Sequence, residues 1–219
     1  MQGDALHLRL LTSVLNTMDT LTPYLLVLFA YALGSVSSAV ITAKLMRLPD
    51  PRTSGSGNPG ATNVLRTGGK LAAIITLIGD VLKGLIPVLV ALHFDVSYGW
   101  VAVVSIAAFM GHLYPVFFGF KGGKGVATAI GVFAGLSLPL LGVFIGVWLL
   151  TAIISRYSSL AALIAAAVTG LASFAIFKDP AQLQLIGGVL WIVAFLFQRH
   201  RENLERLKAG TESKIGSKK

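Results

Sequence analysis

The chain reads as an all-α, polytopic integral membrane protein. Three observations predict this: its apolar runs are continuous rather than alternating, 55% of its 219 residues are hydrophobic, and its Lys and Arg residues gather in loops and at the C-terminus. The mean hydropathy is +0.79. A helix needs roughly 20 apolar residues to cross the hydrocarbon layer, and several runs reach that length. A transmembrane barrel would alternate apolar and polar residues instead. The formal charge is +9. Beside apolar spans, such charge sets orientation and contacts anionic lipid, so no nucleic-acid partner is expected. There is no cysteine, which excludes disulfides, thiolate chemistry and cysteine-bound metals.

Residues 1–20 are weakly amphipathic and carry Asp4, Arg9 and Asp19. They lack the basic head of a cleavable signal and form an expected N-terminal extension, dispensable if translation starts at Met18. The first span is expected over Leu21–Leu45, ending at Lys44 and Arg47 before a loop rich in Pro and Gly. Leu71–Leu92 and Gly99–Phe118 follow as spans. The run Val126–Ile154 is interrupted by Pro139, and charge decides its path. A turn near Ser137–Pro139 places the Lys44–Lys70 cluster, Lys121, Lys124, Arg156 and the tail on one side. Short Lys/Arg-rich loops stay in the cytoplasm. With Ser158–Phe177 and Ala181–Phe197, the expectation is seven transmembrane helices, N-terminus outside and C-terminus cytoplasmic. Two of them, the halves of Val126–Ile154, are short and stand either as full spans or as a re-entrant hairpin. Residues 21–198 form the transmembrane catalytic domain, and 199–219 a basic cytoplasmic tail with a short helix.

Two glycine-rich basic segments carry the functional signal. In Arg52–Arg66 (RTSGSGNPGATNVLR), Asn58 suits a helix N-cap and Pro59 the first helical position. The short helix would end at Gly68 and Gly69, with its free N–H groups aimed among Ser54, Ser56 and Asn58, and with Arg52 and Arg66 nearby. An ordinary interfacial loop with orienting arginines would read the same. The second segment, Lys121-Gly122-Gly123-Lys124-Gly125, runs into a helix-forming stretch. It fails as a Walker A loop, because Gly125 stands where Ser or Thr is required and Phe118 where the leading glycine would be. A simpler phosphate cradle remains: two ammonium groups, several amides and a helix N-terminus. The bland alternative is a flexible turn.

Other polar residues are sparse. Asp80 and Lys83, at i and i+3 inside the second span, are expected to pair as a buried structural unit. His112 closes the third span, where a structural hydrogen-bond donor is the commoner role. His200 and Asn203 lie one turn apart on the tail helix, with Glu202 and Arg206 spaced to pair and Gly210 placed to stop it. The histidines are scattered and no carboxylate cluster accompanies them, so no metal site is expected.

GSGNPGATNVLR at Gly55–Arg66, GHLYPVFFGFKGGKGVAT at Gly111–Thr128 and HRENLERLKAGTESKIG at His200–Gly216 resemble three signature motifs. They are those of the bacterial membrane glycerol-3-phosphate acyltransferase family, which uses acyl phosphate as donor. GDVLK at Gly79–Lys83 is similar to the same family. The resemblance implies an inner-membrane enzyme with its site facing the cytoplasm. It implies transfer of a fatty acyl group to the 1-hydroxyl of sn-glycerol 3-phosphate, giving lysophosphatidic acid and phosphate as the first step of phospholipid synthesis. It implies no cofactor, contact with membrane lipid, and a soluble enzyme that makes the acyl phosphate. Carried over, the essential Ser and Arg of the first motif are Ser56 and either Arg52 or Arg66. The phosphate loop is Lys121–Gly125. The His, Asn and structural Glu of the tail motif are His200, Asn203 and Glu212. One departure is visible: Gly34-Ser35 is followed by Val36-Ser37 where the family often has proline, which leaves the kink of the first helix open.

On this reading Lys121, Lys124, Arg66 and the Gly122–Gly125 amides hold phosphate, assisted by Arg52, Ser54 and Gly57. Ser56, Asn58 and Asn63 orient the alcohol and the carbonyl. Acyl phosphate has a good leaving group, so orientation and charge neutralisation suffice. The proton acceptor is His112, His200 or the leaving phosphate itself. A transporter of a phosphorylated metabolite is the main alternative, and it would need a polar path across the bilayer.

Overall fold

The computed structural model describes residues 20–216, and no strand occurs among them. The N-terminal extension and Met18 therefore lie outside the described residues, apart from Thr20. Five helices are long and apolar enough to cross a membrane, or six if a bent pair counts as one span.

That pair is α1 (Thr20–Gly34) and α2 (Ser38–Leu45), bent by 42°. The kink forms without a proline. Its break frees the Val36 carbonyl for a partner from another element and places the Ser35 hydroxyl to accept from a third. Lys83 Nζ donates to the Val36 carbonyl at 2.8 Å, and Val116 N–H donates to Ser35 Oγ at 3.3 Å. Glycine allows the approach: a Cβ at Gly34 would strike the Ala108 carbonyl, and one at Gly111 the Tyr31 carbonyl.

The next helix, α3 (Ala61–His93), kinks at Gly69, where φ is 82°. Its start corrects the sequence expectation. Gly60, not Asn58, is the N-cap, because a further tight turn (Gly60 N–H to the Asn58 carbonyl, 2.9 Å) delays the helix. Gly69 leaves the helical region, so the short first helix stops there as expected and a second helix continues across the kink. α4 (Tyr98–Leu113) leads through a 3₁₀ turn at Val116–Phe118 to α5 (Val126–Leu136). At about 1.5 Å per residue, the 11 residues of α5 reach only about 16 Å, well short of a bilayer. The chain then turns at Ser137, which is extended, and Pro139 opens α6 (Leu138–Ser155). α7 (Ser158–Ile176), α8 (Leu183–Arg199) and the short α9 (Arg201–Lys208) complete the chain.

Phe109, Phe133, Phe144 and Val132 form the centre of the core, fully buried between α4, α5 and α6. α5 lies along α3, where Gly84 meets the Thr128 carbonyl and Gly131 the Val81 carbonyl. The turn at Ser137 brings α6 back to the end of the bundle from which α5 started. There Ile215 N–H donates to the Arg156 carbonyl at 2.7 Å, and the Arg156 guanidinium reaches the Ile215 carbonyl at 3.2 Å. Arg156, the tail and Lys124 thus share one end of the bundle, as the charge argument required.

Asp80 and Lys83 are both buried, 2.9 Å apart between Oδ1 and Nζ. Lys83 is thereby ionically paired to Asp80 while it closes the α1–α2 break. Removing one member strands the other charge, at a cost of about 3–5 kcal/mol, whereas removing both together costs much less. Lys83→Met should therefore lower thermal stability in detergent sharply, and Asp80→Asn/Lys83→Met should recover most of the loss. Equal melting of the single and double variants would remove the pair from this role.

Candidate active site

The first glycine-rich loop folds around one side chain. Asn63, at 1% exposure, accepts from Ser56 N–H (2.8 Å) and donates to the Pro51 and Ser54 carbonyls (2.9 Å each). Both of its amide hydrogens are committed to the loop, so its work is to shape the loop rather than to orient a substrate. Ser54 Oγ is likewise turned inward, onto the Asp50 carbonyl at 2.7 Å. Arg52 forks onto Asp50 (2.7 Å from Nη2 to Oδ2), which raises the guanidinium's affinity for its proton and lowers that of the carboxyl. These ties hold Arg52 and Ser54 away from the cleft described below. Ser56 Oγ makes no hydrogen bond among the described residues and lines that cleft with Gly57, Asn58 and Arg66. Of the two arginines open at the sequence level, Arg66 is the one on the cleft.

The second loop is held from three sides. Gly123 N–H donates to the His112 carbonyl at 3.2 Å. A Cβ at Gly123 would meet the His112 ring, and one at Gly122 the His112 and Leu113 carbonyls. Arg199 donates to the Gly122 and Gly123 carbonyls at 3.1 and 3.2 Å. Gly125, at φ 87°, caps α5, whose first residues Val126 and Ala127 face the cleft. The first-turn N–H groups of a helix have no intrahelical partner and can donate to an anion. Lys121 is exposed and stands off the cleft, so of this loop's two lysines Lys124 is the one that lines it, with Lys70 of α3 as a second lysine there.

The tail helix docks over this loop. Lys124 Nζ donates to Asn203 Oδ1, and Asn203 Nδ2 donates to Glu212 Oε1 at 2.6 Å. Ser159 Oγ (2.7 Å) and Arg206 Nε (2.7 Å) also donate to Glu212. Burial raises the Glu212 carboxyl's affinity for protons, but these three donors outweigh it and hold the group below the usual carboxylate range. Burial, and then Arg206, lower Lys124. Glu202, the sequence-expected partner of Arg206, is only a distant one at 3.8 Å. His200 is buried, with Nδ1 2.8 Å from the Leu196 carbonyl. A carbonyl only accepts, which assigns the proton to Nδ1 and leaves the Nε2 lone pair for a partner. Burial pushes His200 down to about 4, opposed by the Leu196 bond and reinforced by Lys124. The ring is therefore neutral at neutral pH.

Beneath the loop, His112 Nδ1 lies 3.7 Å from Asp80 Oδ1, too far for a hydrogen bond. His112 and Asp80 line the cleft; Lys83 and Gly123 do not. The cleft has a volume of about 1610 Å³, and six cationic side chains line it against three carboxylates. Its walls turn apolar along Leu77, Ile130 and Trp148. It can hold an anionic head group beside an aliphatic chain. Sequence reasoning missed Arg199 and Ser159, and the Arg206–Glu212 pair. Gly210, in the left-handed region at φ 70°, reverses the chain after α9 and was the available sign that Glu212 returns to Arg206.

An apolar helical bundle with a cationic, amide-lined cleft at one end defines a multi-pass membrane protein that handles an anion. The sequence pattern of the glycerol-3-phosphate acyltransferase family matches residues 24–210, and the chain belongs to that family. A glycerol-3-phosphate acyltransferase of Thioalkalivibrio sulfidiphilus is 52% identical over 200 residues, covering 88% of this chain and 94% of that protein. One of Methylococcus capsulatus is 51% identical over 196 residues, covering 90% and 98%. The crystal structure of PlsY (YgiH), an integral membrane glycerol 3-phosphate acyltransferase, in its glycerol 3-phosphate form, superposes with a TM-score of 0.84 at 40% identity. It covers 89% of this chain and 96% of that one.

His200 binds protons near 6.5 when exposed and near 4 when folded. Its contribution to stability is thus full above pH 6.5 and is lost as pH falls toward 4. Melting temperature in detergent should decline across that window, and His200→Gln should flatten the decline. A slope identical to that of the parent protein would show that another group titrates.

Proposed function

We propose that this protein transfers a fatty acyl group from acyl phosphate to the 1-hydroxyl of sn-glycerol 3-phosphate, yielding lysophosphatidic acid and inorganic phosphate. The observation that carries this reading is the convergence of Lys124, Arg66 and the α5 N-terminus with Ser56, His200 and Asn203 in one cleft that continues into apolar walls. The solved structures of PlsY are described as glycerol 3-phosphate and lysophosphatidic acid forms, which match the proposed acceptor and product.

The cations and the α5 amides neutralise phosphate charge, and Ser56 and Asn58 orient the reacting groups. The glycerol hydroxyl attacks the acyl carbon, and the carbon–oxygen bond to phosphate breaks. The hydroxyl proton passes to the departing phosphate. Neutral His200 uses its free Nε2 lone pair to hold the acceptor's other hydroxyl, so the attacking hydroxyl keeps its proton for the phosphate, and His112 supports the loop from below. No metal or covalent intermediate is needed, because acyl phosphate is already activated.

The proposed setting is the bacterial inner membrane, with the cleft facing the cytoplasm, where positive-inside charge would hold it. Seven segments are proposed, with the N-terminus outside and α5 as a short segment. Residues 21–198 make the catalytic domain, residues 199–219 the cytoplasmic tail, and residues 1–20 an extension. A soluble enzyme supplying the labile donor is the proposed partner. Transport is disfavoured because the polar lining gathers at one end, above a core of Phe109, Phe133 and Phe144.

Purified protein in detergent should form lysophosphatidic acid from palmitoyl phosphate and glycerol 3-phosphate, and none from palmitoyl-CoA. Ser56→Ala should lower kcat/KM roughly a hundredfold. His112→Ala should weaken turnover without abolishing it. Turnover with the thioester alone would overturn the choice of donor. Complete loss in His112→Ala, with folding and affinity intact, would make that histidine the base.

A further inference from the structure

We infer that Arg199 is a positioning residue that fixes the Gly122–Lys124 turn so that the Lys124 N–H is presented to phosphate while the Gly122 and Gly123 carbonyls are held away from it. The inference rests on the reading of that turn as a phosphate site. Among the described residues Arg199 has no carboxylate partner. Instead its Nη2 donates to the Gly122 carbonyl at 3.1 Å and its Nε to the Gly123 carbonyl at 3.2 Å.

In a trans peptide the C=O and N–H point in opposite directions. The Gly122–Gly123 peptide is therefore fixed at both ends, its carbonyl by Arg199 and its N–H by the His112 carbonyl. The Gly123–Lys124 peptide has its carbonyl on Arg199, so the Lys124 N–H projects to the opposite side, away from the guanidinium. Two consecutive glycines would otherwise let these planes rotate at little steric cost. Rotation would present carbonyl oxygens to an anion. The clamp itself is anchored: the Arg199 guanidinium lies over the Tyr114 ring, 5.5 Å from its centre, and the Tyr114 carbonyl accepts from Tyr31 of α1 at 2.8 Å.

A planar fork can hold two carbonyls while stacked on a ring, and an ammonium cannot. Arg199→Lys preserves the charge and removes the fork, so it separates aiming from simple attraction. In the full-length enzyme, Arg199→Lys and Arg199→Gln should both raise the KM for glycerol 3-phosphate or for palmitoyl phosphate. Both should weaken inhibition by inorganic phosphate roughly ten- to a hundredfold, with kcat little changed. Tyr114→Leu, which loosens the guanidinium without touching it, should move the same constants in the same direction by less. Calorimetric titration with inorganic phosphate reads the effect without turnover, so a failed acyl-transfer assay would sink the proposed reaction and leave this inference testable. Parental phosphate affinity in Arg199→Lys would overturn the inference, as would loss of kcat with unchanged phosphate binding. If the Arg199 variants do not fold, unaltered phosphate binding in Tyr114→Leu overturns it.

Discussion

One carboxylate organises the cationic end of this protein. Glu212 takes hydrogen bonds from Ser159 of α7, from Asn203 and Arg206 of α9, and so ties the tail to the bundle. It also sets a direction. Because Asn203 gives its N–H to Glu212, it must turn its oxygen toward Lys124, and an ammonium can only donate. The orientation of Lys124 in the glycine-rich loop thus follows from an acid on a different element. Without that acid, Lys124 and Arg206 would face each other across a partly buried site with little to balance them.

The same logic recurs below the loop. A break between α1 and α2 would leave a carbonyl unpaired inside an apolar bundle, and Lys83 satisfies it while Asp80 balances the lysine. His112, beside Asp80, then forms the surface on which Gly123 rests. The kink, the buried ion pair and the second glycine-rich loop are therefore successive layers of one arrangement. The glycines are the condition for it, since side chains at Gly34, Gly84, Gly111, Gly122 and Gly131 would collide with backbone.

For the proposed chemistry, what the protein must supply is place and charge. An activated donor and a simple alcohol need to be held together, out of bulk water, with their phosphates neutralised. A rigid set of amides and cations at the end of an apolar bundle meets that need, and the adjoining apolar walls suit the aliphatic part of the donor.

The sequence alone determined the fold class, the grouping of basic loops at one end and the family. Those depend on run length, charge placement and contiguous motifs, which are local properties of the chain. It also anticipated the Asp80–Lys83 pair, because i,i+3 spacing puts two side chains on one helical face. Tertiary structure decided which member of each motif reaches the cleft. Arg52 and Arg66 were equivalent until Asp50 claimed one of them, and Lys121 and Lys124 until the loop's path turned one outward. Asn63 looked like a substrate ligand until three loop partners occupied it. The partners of Arg199 and Glu212 lie on elements far away in sequence, and no spacing rule reports a hydrogen bond that only the packing of helices creates.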